Sequence, residues 1–213
     1  AEGTALSNGK TDTLKNIENV IGTDRADNIT GDDKDNTLLG GADNDSFKGL
    51  EGVDYIDGQD GSDDTVDYSD GTQGININLS TTQTLGDNTT YRVQDDGYGN
   101  KEFIDGIENI IGTNSKDIIT GDSNNNLLDG GADDDTISGG DGSDTLVGQT
   151  GADTFSGGLG DDFIYGNALN VSSADSDRDV VDYTSSSNSI LLNLSSSDSN
   201  IELSNESSTT LGT

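Results

Sequence analysis

The chain has 213 residues, with 42 acidic against 9 basic, a formal net charge of -33 and 28% hydrophobic residues. The charge has the wrong sign for nucleic acid or an anionic membrane surface, and the absence of Cys and His removes disulfides, the common zinc sites and Cys/His or Ser/His catalysis. Such a composition usually means disorder, but proline is absent and the 30 glycines recur at regular intervals, so a divalent cation is the partner these carboxylates suit.

Taken in order, residues 1–16 read as the tail of a linker, and Ile17-Glu18-Asn19-Val20-Ile21 as a lead-in. From Gly22 the chain repeats every nine residues, at Gly31, Gly40, Gly49 and Gly58. The sixth place of each repeat holds Asp27, Asn36, Asp45, Asp54 and Asp63. The eighth holds Ile29, Leu38, Phe47, Ile56 and Thr65. Thr65 breaks the apolar column, and Val66 substitutes if one residue is inserted at Asp63-Asp64. This array spans residues 22–66 and is followed by a cap over 67–81, which completes a first module at 17–81. Ile75, Ile77 and Leu79 alternate there, which suggests edge strands. Tyr68 is expected to pack and seal the end of the roll. Residues 82–106 form an intermodule segment, and Thr81, Thr82, Thr89 and Thr90 give polar cover against edge pairing.

The lead-in recurs ninety residues later as Ile107-Glu108-Asn109-Ile110-Ile111. The nine-residue steps resume at Gly112, Gly121, Gly130, Gly139, Gly148, Gly157 and Gly166. Place six holds Asp117, Asn126, Asp135, Asp144, Asp153 and Asp162; place eight holds Ile119, Leu128, Ile137, Leu146, Phe155 and Ile164. This second module covers residues 107–195, with its array at 112–166 and its cap at 179–195, where Tyr183 corresponds to Tyr68. Residues 196–213 are a polar tail. The register is lost after Gly166, where Asp175, Asp177 and Asp179 are candidates to close a last site. The chain reads as a fragment of a longer multi-module protein.

These columns resemble the RTX (hemolysin-type calcium-binding) nonapeptide G-G-x-G-x-D-x-U-x, a known parallel β-helix repeat. Gly139-Gly140-Asp141-Gly142-Ser143-Asp144-Thr145-Leu146-Val147 matches it in full, and eleven repeats stand in phase. The resemblance implies an all-β fold: two tandem parallel β-roll arrays, or β-solenoids, with β-rich caps. Two nonapeptides make one coil, and loops eighteen residues apart stack. Glycine at places one, two and four is expected to supply positive φ, with Asp43 and Asp133 as tolerated substitutes at place four.

The resemblance also implies the ligands. Calcium takes carbonyls of places two and four and the place-six side chain of one loop. It takes carbonyls of places one and three and the place-six side chain of the loop eighteen residues on. In the first array this assigns Thr23, Arg25 and Asp27; Asp32, Lys34 and Asn36; Gly40, Gly41, Ala42, Asp43 and Asp45; Gly49, Glu51 and Asp54; and Gly58, Asp60 and Asp63. In the second it assigns Thr113, Ser115 and Asp117; Asp122, Asn124 and Asn126; Gly130, Gly131, Ala132, Asp133 and Asp135; Gly139, Gly140, Asp141, Gly142 and Asp144; Gly148, Thr150 and Asp153; and Gly157, Leu159 and Asp162. The pairs give about seven Ca²⁺ sites. Arg25, Lys34, Asn36 and Asn126 weaken the early loops.

Seven ions would offset about 14 of the negative charges, so folding and metal binding should be one event. No motif for a nucleophile, phosphate loop or metalloprotease is present, so the chain reads as a non-enzyme. No apolar run is long enough to insert in a membrane. The resemblance points to a secreted or cell-surface bacterial protein of adhesin or surface-layer type. Such a protein would leave by type I secretion, be monomeric, and be flanked by further modules. The alternatives are the accessory domain of an exoenzyme (protease, lipase or alginate epimerase) and an ice- or glycan-binding face.

Overall fold

A computed structural model describes residues 2–7, 10–81, 92–167, 178–186 and 201–204. These residues form strands and turns only. The strands are β1 (Glu2–Ser7), β2 (Lys10–Lys15), β3 (Asn19–Ile21), β4 (Asn28–Thr30), β5 (Thr37–Ala42), β6 (Ser46–Lys48), β7 (Tyr55–Asp60), β8 (Thr65–Asp67), β9 (Ile75–Asn78) and β10 (Val93–Asp96). They continue as β11 (Phe103–Asp105), β12 (Asn109–Ile111), β13 (Ile118–Thr120), β14 (Leu127–Asp129), β15 (Thr136–Asp141), β16 (Thr145–Val147), β17 (Thr154–Leu159), β18 (Asp161–Tyr165), β19 (Val180–Val181) and β20 (Ile201–Ser204). β1 and β2 pair as an antiparallel hairpin over the residues expected to be a linker tail.

Places seven to nine of each repeat form a strand whose middle residue points inward, because side chains alternate across a strand. Successive strands alternate between two faces. One face is a single eight-stranded sheet in the order β4, β6, β8, β12, β14, β16, β18, β20. The opposite face carries a four-stranded sheet, β3-β5-β7-β11, and a six-stranded one, β10-β9-β13-β15-β17-β19. Within the arrays, partners stand eighteen residues apart, as Asn28 with Ser46 and Thr136 with Thr154. Two nonapeptides therefore build one coil of a parallel β-solenoid.

The same ladders run through both arrays. β12, the second lead-in, lies parallel on β8, while β11 lies on β7 and β13 on β9. The strand at Ile75–Asn78, expected at an edge, is internal. It has β13 parallel on one side and β10 antiparallel on the other, and its Ile75 and Ile77 alternate because they enter the core. β10 meets Glu102, the residue before β11, through the isolated bridge between Val93 and Glu102. β19 extends the six-stranded sheet at the second cap, which is described as far as residue 186, and β20 packs antiparallel on β18. Thr82, Thr89 and Thr90 lie outside the described residues.

The place-eight side chains form one interior column. Val66, not Thr65, continues it: Thr65 pairs with Ser46, Val66 pairs with Phe47, and Val66 is fully buried. Between the arrays the core thickens. Tyr68, Ile75, Ile77, Leu79, Val93, Ile104 and Ile107 all join the same buried cluster.

Candidate metal centre

Seven column aspartates turn back beneath the preceding coil. Through Oδ1, Asp45 accepts the backbone N–H of Asp27 at 2.8 Å, Asp54 that of Asn36 at 2.7 Å and Asp64 that of Asp45 at 2.7 Å. In the second array Asp135, Asp144, Asp153 and Asp162 accept the N–H groups of Asp117, Asn126, Asp135 and Asp144 at 2.8, 2.9, 2.8 and 3.1 Å. One oxygen of each of these carboxylates thus satisfies a backbone donor that the interior would otherwise strand.

The second oxygen divides the loops into two kinds. In the loops that open at Gly22, Gly31, Gly112 and Gly121, a place-six oxygen (the only one that Asn36 and Asn126 carry) accepts the place-two N–H of its own loop. Thr23 donates to Asp27 Oδ2 at 2.5 Å, Asp32 to Asn36 Oδ1 at 2.8 Å, Thr113 to Asp117 Oδ2 at 2.6 Å and Asp122 to Asn126 Oδ1 at 2.9 Å. In the loops that open at Gly40, Gly49, Gly58, Gly130 and Gly139, the Oδ2 atoms of Asp45, Asp54, Asp64, Asp135 and Asp144 are buried with no hydrogen-bond donor. The backbone at place two sets the difference. Gly41, Leu50, Gln59, Gly131 and Gly140 have φ between 68° and 124°, which turns the N–H away from the carboxylate. Leu50 and Gln59 hold this left-handed conformation without being glycine, an uncommon state that the stacked loop imposes.

Place-one glycines have a different reason to be bare. The expectation that they supply positive φ does not hold, since none of the place-one glycines has it. They are bare because two oxygens converge on them. A Cβ at Gly40 would collide with Asp45 Oδ2 and lie 2.8 Å from the Gly58 carbonyl oxygen. A Cβ at Gly139 would collide with Asp144 Oδ2 and lie 2.6 Å from the Gly157 carbonyl oxygen. At Gly148 the neighbours are Asp153 Oδ2 and the Gly166 carbonyl, and at Gly157 the neighbour is Asp162 Oδ2.

Loops eighteen residues apart also stack through their backbones. Gly41 pairs with Gln59 and Ala42 with Asp60, Gly140 with Gly158 and Asp141 with Leu159, and Ala132 with Thr150. The place-three N–H groups of Ala42, Ala132, Asp141 and Thr150 donate to the place-two carbonyls of Thr23, Thr113, Asp122 and Gly131. Each of those carbonyls keeps one lone pair. Among the described residues no three acidic side chains converge on one point, so a cation here draws on carbonyls as well as carboxylates. An all-oxygen set of this kind suits Ca²⁺.

The early loops are closed in more than one way. The place-four carbonyls of Arg25 and Ser115 accept the hydroxyls of Thr23 and Thr113 at 3.4 and 3.0 Å. The Lys34 ammonium lies 2.9 Å from Asp32 and holds that carboxyl below its usual range through their hydrogen bond. Asn124 donates its side-chain amide to Asp122 at 3.0 Å. Asp43 and Asp133 stand at place four with φ of 71° and 74°, as Gly142 does with 109°. Gly52 holds place four of its loop with φ of 134°, and Glu51 at place three is exposed.

One place-six assignment moves. Asp63 is exposed and accepts from Asn44 Nδ2 at 3.2 Å, while Asp64 is 1% exposed and fills the column. The inserted residue lengthens this loop, so the column shifts by one along with Val66. Two column members escaped the sequence reading. Glu108 accepts the Asp64 N–H through Oε2 at 3.0 Å, and Glu18 receives the Thr37 N–H on its carbonyl, as place six does throughout. Each stands nine residues before the first aspartate assigned in its array, so one backward step of the period would have found it. Of the trio after Gly166, Asp179 enters the column: it accepts the Asp153 N–H at 3.0 Å and would collide with a Cβ at Gly166. Asp175 and Asp177 lie outside the described residues.

Burial pushes these carboxyls upward, Asp54 and Asp144 to about 7, Asp64 to about 6 and Asp135 to about 8. Burial also raises Asp45, Asp117 and Asp162. A buried carboxyl held this high lacks a compensating charge, which a bound cation supplies.

A parallel solenoid whose stacked turns bring carboxylate and carbonyl oxygens together is a β-roll of the calcium-binding kind. The sequence model of the RTX calcium-binding nonapeptide repeat (4 copies) matches residues 21–56, 30–64, 40–72, 104–137 and 138–170, more than half of the chain. The chain belongs to that family, whose repeats are structural calcium-binding modules. No curated protein matches it.

Proposed function

We propose that this chain is a calcium-folded structural segment of a larger extracellular or cell-surface bacterial protein of adhesin or surface-layer type. The supporting observation is the file of donor-less carboxylate oxygens at Asp45, Asp54, Asp64, Asp135 and Asp144, each buried between stacked loops. With the place-six pairs Asp27–Asp45, Asn36–Asp54 and Asp45–Asp64, then Asp117–Asp135, Asn126–Asp144, Asp135–Asp153 and Asp144–Asp162, the rolls take about seven ions. Low cytosolic calcium keeps the chain extended for type I secretion, and millimolar calcium outside folds it. The ions crosslink coils that the interior holds weakly, so the product is a stiff, monomeric spacer between neighbouring modules.

A second reading has one observation in its favour. The eight-stranded sheet passes from β8 to β12 without a break, so the arrays stack as one roll, as suits the accessory domain of an exoenzyme.

Calcium titration of the chelated chain tests the proposal, with circular dichroism and calorimetry as readouts. The expected result is a disordered spectrum in chelator and a cooperative β signal on calcium addition, with about seven ions bound. A folded spectrum in excess chelator at pH 8, where the column carboxyls are mostly ionised, would overturn it. The length and flanks of the parent reading frame separate the two contexts: a catalytic domain upstream selects the second.

A further inference from the structure

The joint between the arrays contains an acidic pair that the repeat does not account for. Glu102 lies directly before β11, which stacks on β7, so Glu102 stands over Asp54 at the position a place-six residue would take. Both side chains are fully buried. Each has one oxygen locked. Asp54 Oδ1 accepts the Asn36 N–H at 2.7 Å, and Glu102 Oε2 accepts the Tyr68 hydroxyl at 2.7 Å. Each also has one oxygen that no N–H or hydroxyl reaches, Asp54 Oδ2 and Glu102 Oε1, and these two oxygens face each other at hydrogen-bond range.

These two oxygens aim at the same place. A Cβ at Gly49 would collide with Asp54 Oδ2 and lie 2.9 Å from Glu102 Oε1. At Gly22, Gly40, Gly58, Gly112 and Gly139 the second neighbour is the carbonyl of a glycine in the next coil. At Gly49 a carboxylate from outside the repeats has replaced that carbonyl. The position therefore holds two acidic groups where the ordinary coil holds one acid and one neutral oxygen. The third acid nearby, Asp96, is occupied: its Oδ1 accepts the N–H groups of Tyr98 and Asn100 and its Oδ2 accepts Asn100 Nδ2.

We propose that Asp54 and Glu102 hold a calcium ion at the joint between the two arrays, a site built by a non-repeat residue that the nonapeptide rule does not generate. The ligands are Asp54 Oδ2 and Glu102 Oε1, with backbone oxygen and water completing the shell of a hard cation. Tyr68 positions Glu102 by fixing its other oxygen. The ion ties β11 to the last coil of the first array. The proposal rests on the calcium reading of the repeats.

The test uses the full chain, with calcium and with terbium as a luminescent substitute. Glu102→Gln is expected to bind one ion fewer by calorimetry and to lose part of the tyrosine-sensitised terbium emission. Tyr68→Phe is expected to lose emission. Asp96→Asn, which removes a neighbouring buried acid, is expected to keep the full count. An unchanged stoichiometry in Glu102→Gln overturns the proposal and leaves the pair sharing a proton instead. An equal loss in Asp96→Asn also overturns it, because general charge would then be the cause. If Glu102→Gln does not fold, crystals of the unaltered chain grown with terbium decide the matter. An anomalous peak between Asp54 and Glu102 supports the site, and peaks confined to the repeat loops overturn it. Failure of the repeat reading itself looks different, since the unaltered chain would then bind no ions in its loops.

Discussion

The repeat coils and the joint between the arrays solve the same packing problem with different means. A repeat coil buries one sizeable apolar side chain per nine residues, such as Leu128 or Leu146. That contributes about 1.5–3 kcal/mol, well short of the backbone entropy of ordering nine residues at about 1–2 kcal/mol each. The same coils carry buried carboxylate oxygens without donors at Asp135 and Asp144. The joint gathers Tyr68, Ile75, Ile77, Leu79, Val93, Ile104 and Ile107 into one cluster and satisfies buried Asp96 with backbone and amide donors. The coils are thus completed by something outside the chain, while most of the joint is completed by the chain itself.

Breaking that contrast begins with Asp135, which serves two loop pairs. Asp135→Ala removes the acceptor of the Asp117 N–H and a ligand shared by two proposed ions. The expected outcome is two ions lost by calorimetry and about 3–5 kcal/mol of stability lost in urea melts with calcium, the scale for breaking a buried charged contact. Ile77→Ala, at the fully buried centre of the joint, should cost about 2–5 kcal/mol in the same melts with no change in ion count. Equal loss of ions in both variants would erase the distinction between the regions.

The pH dependence sharpens it further. Without calcium, Asp135 at about 8, Asp54 and Asp144 at about 7 and Asp64 at about 6 stand above the ordinary value of 3.8. The folded form then binds more protons than the unfolded chain between about pH 4 and 8, so folded stability falls as pH rises through that window. The chelated chain should show more β signal at pH 5 than at pH 8. With limiting calcium the order reverses, because protons compete with the metal for the same oxygens. Circular dichroism at the two pH values, with and without calcium, checks both signs.

What the sequence revealed follows the same division. Fixed spacing carried the arrays: the place-six and place-eight columns were legible because one residue does one job every nine positions. The insertion at Asp63-Asp64 was visible in the apolar column as Val66, and applying the same shift to the acidic column would have moved the ligand to Asp64. Glu102 and Asp96 carried no such signal. They meet Asp54 and Tyr68 only because the chain departs after Leu79, returns through β10 and lays β11 on β7. That is a long-range event with no period, and no local pattern at Glu102 announces it. Ile75–Asn78 was readable as a strand, but its central place in the sheet depended on the same return.

The smallest effect is expected where a loop is already closed. Asp27 Oδ2 accepts the Thr23 N–H at 2.5 Å, and the Arg25 carbonyl accepts the Thr23 hydroxyl. Asp27→Asn keeps an oxygen at the capped position and should change stability in calcium by no more than about 0.5 kcal/mol. Asp45→Asn changes a group whose Oδ2 is buried without a donor, so the same substitution there should weaken calcium binding clearly. The backbone at place two separates the two carboxylates: Thr23 sets its N–H on Asp27, whereas Gly41, at φ 124°, leaves Asp45 Oδ2 without a donor. Parallel calorimetric titrations of the two variants measure the difference directly. Equal losses would mean that the orientation of one amide does not set which loops grip the metal.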